Sequence, residues 1–135
     1  MIDHNKRLVV FSDFRGEDDG MPGVWSFAVE NDWGDASLSG GCTARAGSSP
    51  LNQAGISLFI MNHFPSMVAD HVAVYPGSYF ETTNDYFKIL SHMTECSALA
   101  NRLPNFIAVD FFELGNNGGP IEAIVALNKE WAKRS

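Results

Sequence analysis

Residues 104–115 read PNFIAVDFFELG. Pro104 closes off the helical pattern before it and biases Leu103 toward an extended conformation. The seven residues from 106 to 112 are apolar apart from Asp110. A short, nearly unbroken apolar run of this kind is what a parallel strand shows when both of its faces are covered. The run stops at Glu113 and Gly115, and the turn Asn116-Asn117-Gly118-Gly119 leads into a second helical pattern that starts near Pro120. Strand, turn and helix in that order form a unit of a parallel α/β sheet. In open α/β sheets and in barrels, the C-terminal strand ends carry the chemistry. This stretch brings Asp110 and Glu113 to such an end.

Three earlier runs have the same character. Residues 8–11 (LVVF) end at Ser12-Asp13, residues 25–29 (WSFAV) end at Glu30-Asn31-Asp32, and residues 56–61 (ISLFIM) end at Asn62-His63. None alternates cleanly, and each is followed at once by polar groups. Residues 15–23 read as an acidic turn, and residues 34–53, rich in Gly, Ser and Ala, as a long irregular loop. Residues 68–83 are mixed, with a turn at Pro76-Gly77. The strongest helical pattern covers residues 84–102, capped by Thr83 or Asn84. Its apolar stripe runs through Phe87, Leu90, Met93 and Ser97, joined by Tyr86, Ile89, Cys96 and Ala100, which leaves His92 at the surface. In the last helix Ile124, Leu127 and Trp131 lie at the centre of the apolar face. Glu122 sits near the positive end, and Lys129, Lys133 and Arg134 near the negative end, the favourable sense for both. No repeat or linker divides the chain, so residues 1–135 are expected to form a single domain of α/β class with about four parallel strands and helices.

The 135 residues carry a formal net charge of -7. That argues against nonspecific nucleic-acid binding and against attraction to anionic membranes. It disfavours an anionic substrate unless a local Arg, Lys or bound cation reverses the field. No run is long and apolar enough for a transmembrane segment. The N-terminal MIDHNKR is polar and lacks the apolar core of a secretory signal. Cys42 and Cys96 match no CxxC spacing. Two buried thiols, one buried and one exposed thiol, or a single long-loop disulfide all fit.

Four blocks resemble a known family. KRLVVFSD, VWSFAVEND, the segment CTARAGSSPLNQAGISLFIMNHFP at residues 42–65 and LPNFIAVDFFELGNNGGPIEAIVALN at residues 103–128 look like the fifth to eighth strands of a particular barrel. The barrel is the X-type catalytic domain of phosphatidylinositol-specific phospholipase C-like phosphodiesterases. The last block carries most of the resemblance, through PNF, a V-D-F strand and a closing A-x-x-x-L-N helix. The resemblance implies a distorted TIM barrel of which this chain is the C-terminal half, since 135 residues fall short of the ~250 usual for the whole fold. It implies cleavage of a phosphodiester by two histidines on the first and third strands, with a divalent metal beside them in some branches. Those strands precede the matched part, and His4, His63, His71 and His92 do not occupy the family's histidine positions. Family members are often secreted.

At the strand ends, Glu30 and Asn62 suit a polyol headgroup, which needs converging hydrogen-bond partners. Arg45 suits a phosphate, through paired N–H donors. Trp33 could stack on a ligand, and Asp110 could point into the barrel, where burial would demand a partner. His63 is the one histidine at a strand end, and so the one candidate acid or base. Asp13 and Glu113 suit structural hydrogen bonding, and Trp25 and Trp131 suit anchoring. The Asn/Gly turn before the last helix could offer N–H groups to an anion. The residues assign no metal set and no cofactor, so a divalent metal enters only with a complete domain. Two functions follow from this reading. One is a phosphodiesterase of the phospholipase C type, acting on a phospholipid headgroup or small phosphodiester. The other is an inactive half-barrel that binds a partner, self-associates or is completed by an N-terminal half, because open sheet edges and an apolar inner face demand cover.

Overall fold

The computed structural model describes residues 22–33, 41–64 and 77–133. Strands β1 (Ala28–Glu30), β2 (Leu58–Asn62) and β3 (Phe106–Ala108) form one parallel sheet in the order β1-β2-β3. Helices α1 (Gly77–Thr83), α2 (Tyr86–Ala100) and α3 (Gly119–Ala132) accompany it. The fold is α/β, and the sheet is open among the described residues. The strand expected at residues 8–11 lies outside the described residues, as do Asp13, His4 and His71.

The strand positions follow the apolar runs, and their lengths follow the available partners. Val29 pairs with Phe59, Ile60 with Phe106 and Asn62 with Ala108. Trp25 and Ser26, expected in β1, instead form a 3-10 turn closed by the Phe27 N–H on the Val24 carbonyl at 2.9 Å. The ladder begins where Leu58 donates to the Phe27 carbonyl at 2.9 Å. At the start of β3, Asn105 grips Phe59 twice. Its N–H donates to the Phe59 carbonyl at 2.9 Å, and its Oδ1 accepts from the Phe59 N–H at 2.9 Å.

β3 is shorter than the seven-residue apolar run. Its last ladder bond comes from the His63 N–H to the Ala108 carbonyl at 2.8 Å. Beyond it the chain turns, with Phe111 at φ 51° and Leu114 donating to the Phe111 carbonyl at 2.8 Å. Asp110 is therefore exposed and outside the strand, not directed inward from it. The Asn84 amide holds this turn by donating to the carbonyls of Asp110 and Phe111 at 2.7 and 3.1 Å. The Phe111 ring lies 4.4 Å from that of Phe80.

The helical pattern expected over residues 84–102 becomes α2, and a separate helix precedes it. Residues 77–83 form α1, not foreseen in the mixed segment, and Asp85 caps α2 in place of Thr83 or Asn84. Asp85 Oδ1 accepts from the N–H groups of Phe87 and Lys88 at 2.9 and 3.3 Å, satisfying donors that a helix start leaves open. α2 buries Ile89, His92, Met93, Cys96 and Ala100, while Phe87 is 65% exposed. The buried stripe is thus rotated by about one residue from the expected one, and His92 lies inside rather than at the surface. In α3, Pro120 and Ala123 are buried and Leu127 packs on the core, whereas Ile124 and Trp131, expected at the centre of the face, are exposed.

The core joins Val29, Phe59 and Met61 of the sheet to Met93, Cys96 and Ala100 of α2, with Cys42 and Leu51 from the β1–β2 connection. Burying a side chain the size of Phe59 or Met61 is worth about 1.5–3 kcal/mol. The connection contains no helix among its described residues. It is tied to the end of α2 by Arg102, whose guanidinium donates to the carbonyls of Gln53 and Ile56, and by a disulfide between Cys42 and Cys96.

Candidate functional site

β1 and β2 end side by side, and their last residues meet in a buried polar network. Glu30 and Asn62 are 6% and 3% exposed. Glu30 Oε1 accepts from Asn62 Nδ2 at 2.7 Å, and Glu30 Oε2 pairs with Arg45 Nη1 at 2.7 Å. A buried carboxylate is tolerable when hydrogen-bonded and paired in this way. The loop after β1 makes the pairing by doubling back. Asp32 donates to the Thr43 carbonyl at 2.8 Å, Asn31 and Ala44 form an antiparallel bridge, and the Arg45 N–H returns to the Glu30 carbonyl at 2.9 Å. Ser48 Oγ accepts from the Glu30 N–H at 3.0 Å.

The Arg45 guanidinium lies over two rings, with Cζ 5.1 Å from the Trp25 centroid and 4.4 Å from that of Trp33. Cation–π contacts and the ion pair together fix a side chain that is otherwise among the most flexible. Trp33 is about half exposed and the Arg45 side chain 22% exposed, so this corner of the network reaches solvent. An anion or polyol arriving there would meet a guanidinium, an aromatic ring and a carboxylate edge.

One residue beyond Asn62 the chemistry changes. His63 is 1% exposed, with Nε2 2.9 Å from the Thr83 carbonyl and Nδ1 2.9 Å from Nδ1 of His92. Desolvation by burial pushes its pKa down to about 4. The bond to Thr83 opposes that shift, and the charges of His92 and Lys88 reinforce it. The ring is therefore neutral at neutral pH, and the tautomers follow. A carbonyl only accepts, so the proton of His63 is on Nε2 and its Nδ1 accepts from an Nδ1–H of His92. Behind this pair, the sulfurs of Cys42 and Cys96 and a ring nitrogen of His92 all lie within 4.8 Å of one another, with the sulfurs joined as a disulfide. Sulfur and imidazole donors suit a soft or borderline metal. The hard divalent cations of phosphoryl chemistry take oxygen ligands, so this set does not fit one of those.

The structure brings Glu30, Asn62, Arg45 and Trp33 together. It leaves Asp110 exposed on the turn after β3, where the Asn84 amide holds its carbonyl. Glu113 is also exposed. Residues 116–118 form a 3-10 turn, and Asn117 Nδ2 donates to Asp85 Oδ2 at 2.6 Å. His92 and Thr83 were not anticipated beside His63. The signal for His92 was its spacing, three residues after Ile89 and four before Cys96, which places it on their face. Thr83 contributes only a carbonyl, which no side-chain reading can find.

A family model described as PI-PLC X 1 matches residues 1–128. The chain belongs to the PI-PLC X family. A PI-PLC X domain-containing protein of Arabidopsis thaliana is 34% identical over 133 residues, covering 95% of this chain and 29% of the plant protein. No solved structure gives a significant match. This PI-PLC X chain thus spans less than a third of the length of the curated relative it matches. Among its described residues, no helix is long and apolar enough to cross a membrane.

Proposed function

We propose that this chain is one part of a phosphodiester-cleaving domain of the phosphatidylinositol phospholipase C type, and that it builds one wall of the substrate pocket. The observation that carries the reading is the Glu30 carboxylate held between Arg45 and Asn62 where two parallel strands end. In this reading the three-stranded sheet belongs to a distorted TIM barrel completed by other strands, and residues 1–135 lie within one domain. Arg45 receives the negative charge that grows on the phosphoryl oxygens during attack by a neighbouring hydroxyl or water. Glu30 and Asn62 hold Arg45 in place and accept from headgroup hydroxyls, and Trp33 offers a stacking face. Asp110, on the turn beyond β3, contributes at the rim. The general acid and base come from outside the described residues, because both ring nitrogens of His63 are already engaged. His63 then acts as a positioning residue. Any divalent cation of the complete domain is held by residues other than these.

The test is hydrolysis of phosphatidylinositol vesicles and of a soluble aryl phosphodiester. It is measured with the purified chain and with the full polypeptide its gene encodes. The reading stands if either cleaves and Arg45→Ala lowers kcat/KM at least ten-fold. It fails if neither cleaves, or if Arg45→Ala leaves kcat/KM unchanged.

A second reading, an inactive half-barrel that binds a partner or itself, draws on a different observation. An apolar groove of about 310 Å³ lies between β3 and α3, lined by Ile107, Val109, Phe112, Ile121 and Ile124. Its occupant in the first reading is the rest of the barrel.

A further inference from the structure

The Cys42–Cys96 disulfide has a feature that a purely structural bridge does not require: a histidine ring nitrogen within 4.8 Å of both sulfurs, with its tautomer fixed from behind. The hydrogen-bond relay sets the state of that histidine. The Thr83 carbonyl places the His63 proton on Nε2, and His63 Nδ1 then takes the Nδ1–H of His92. The lone pair of the His92 ring is left on Nε2. Metal-binding histidines are commonly arranged this way, donating one ring N–H to a neighbour that fixes ring and tautomer while the other nitrogen binds. All three potential ligands are buried, with Cys96 at 0%, Cys42 at 5% and His92 at 7% exposure.

The geometry points to a redox-exchangeable zinc site formed by Cys42, Cys96 and His92, with His63 as the positioning residue behind it. In the oxidised chain the two sulfurs are bonded to each other and cannot ligate. A dithiol reductant supplies two electrons and two protons. The S–S bond breaks, two thiols form, and the reductant leaves as its own disulfide. Zn²⁺ then forms two Zn–S bonds and one Zn–N bond to His92 and releases the two thiol protons to solvent. A fourth position remains for water. Two thiolates balance the charge of the ion, so the loaded site is neutral overall, as its burial requires. Either bridge ties the same two elements, the loop that carries Arg45 and helix α2. This inference rests on the cluster alone and is independent of the hydrolytic reading.

The experiment uses the full chain, reduced anaerobically with a phosphine. The phosphine leaves as its oxide, and water supplies the oxygen and the two thiol protons. Co²⁺ is titrated as an optical probe and Zn²⁺ as its competitor, with circular dichroism recorded at each step. The expected result is one Co²⁺ per reduced chain, with a thiolate-to-cobalt charge-transfer band, displacement by Zn²⁺ and no uptake by the oxidised chain. Loss of His92 in His92→Ala should weaken binding at least ten-fold. X-ray absorption of the zinc-loaded wild-type chain should show two sulfur neighbours and lighter nitrogen or oxygen neighbours, which tests the ligand set without any variant. No uptake by the reduced chain, whether it stays folded or unfolds without rescue by zinc, overturns the proposal. So does binding that is unchanged in His92→Ala, or a metal shell without sulfur.

Discussion

The side chain of Asn31 takes both backbone groups of Asn62: its Oδ1 accepts from the Asn62 N–H at 2.7 Å, and its Nδ2 donates to the Asn62 carbonyl at 3.0 Å. One amide side chain thus stands in for a peptide unit and carries the parallel ladder past the end of β1. The exchange is buried on both sides, with Asn31 at 0% and Asn62 at 3% exposure. Asn31→Leu leaves a donor and an acceptor of Asn62 without partners. At about 1–3 kcal/mol for each unsatisfied buried group, the loss should be roughly 2–5 kcal/mol. Asn31→Asp should also destabilise, since a carboxylate cannot donate to the Asn62 carbonyl and sits beside Glu30. Urea unfolding of the two variants checks both; a loss below ~1 kcal/mol in Asn31→Leu would contradict the assignment.

Glu30 and Arg45 should be energetically coupled. Removing the guanidinium in Arg45→Ala leaves a nearly buried carboxylate with Asn62 as its remaining charge-stabilising side chain. This should cost about 2–3 kcal/mol, below the range for a fully buried pair because Arg45 is partly exposed. Neutralising the partner as well, in Glu30→Gln with Arg45→Ala, should cost less than the two single changes added together. A coupling of at least about 1 kcal/mol in the double-mutant cycle is expected. Additive effects would show that the pair does not function as a unit.

Opening the bridge between Cys42 and Cys96 should weaken the metal-free chain. The disulfide spans a sequence separation of 54 residues, for which loop-closure entropy gives about 4 kcal/mol. The Cys42→Ala, Cys96→Ala chain should unfold at correspondingly lower urea concentration, an outcome measured by circular dichroism in the presence of a chelator.

Acid should destabilise the chain through His63. Its folded pKa is lowered to about 4 from 6.5, so between those values the unfolded chain binds the proton and the folded chain does not. The contribution of His63 to stability is then fully present above pH 6.5, falls as the pH drops toward 4, and is lost below that. The total change is about 3 kcal/mol. Unfolding free energies taken at intervals from pH 7 to pH 4 should follow that slope in the wild type and lose it in His63→Gln. A slope retained in the variant would place the titration elsewhere.

The groove beside β3 should decide the behaviour of the chain in solution. Ile121 and Ile124 are 58% and 38% exposed next to Phe112 at 61%. If this face associates with another copy, Ile121→Glu with Ile124→Glu should shift the sedimentation coefficient toward that of a monomer while barely changing the unfolding midpoint. An unchanged sedimentation profile in an associating wild type would direct attention to another surface.

The positions of the three described strands, and the candidates Glu30, Asn62, Arg45 and Trp33 that the structure brings together, were legible in the sequence, because apolar runs end where polar groups begin. Four things were not. β3 stops at Ala108 although its apolar run continues to Phe112, because strand length depends on a neighbour's backbone and not on side-chain character. Ile89, Met93, Cys96 and Ala100 of α2 are buried as expected, but Phe87, an aromatic residue, was given weight over the polar His92, so these two change places between surface and core. The Cys42–Cys96 link could not be chosen from spacing alone, since pairing is a statement about three-dimensional proximity. The reciprocal use of amide side chains at Asn31 and Asn105 was equally hidden, because an Asn at a strand end reads first as a turn former.

The separation of the two cysteines also has a consequence in time. On the ribosome Cys42 is made 54 residues ahead of Cys96. At about 5–20 residues per second, it waits roughly 3–11 s before its partner exists. For that interval the loop that carries Arg45 has neither α2 to pack against nor a sulfur to bind. The first cysteine of the pair is then a lone thiol on a nascent chain, open to any other thiol or oxidant it meets. Correct assembly of this corner therefore depends on synthesis rate and redox environment as well as on sequence.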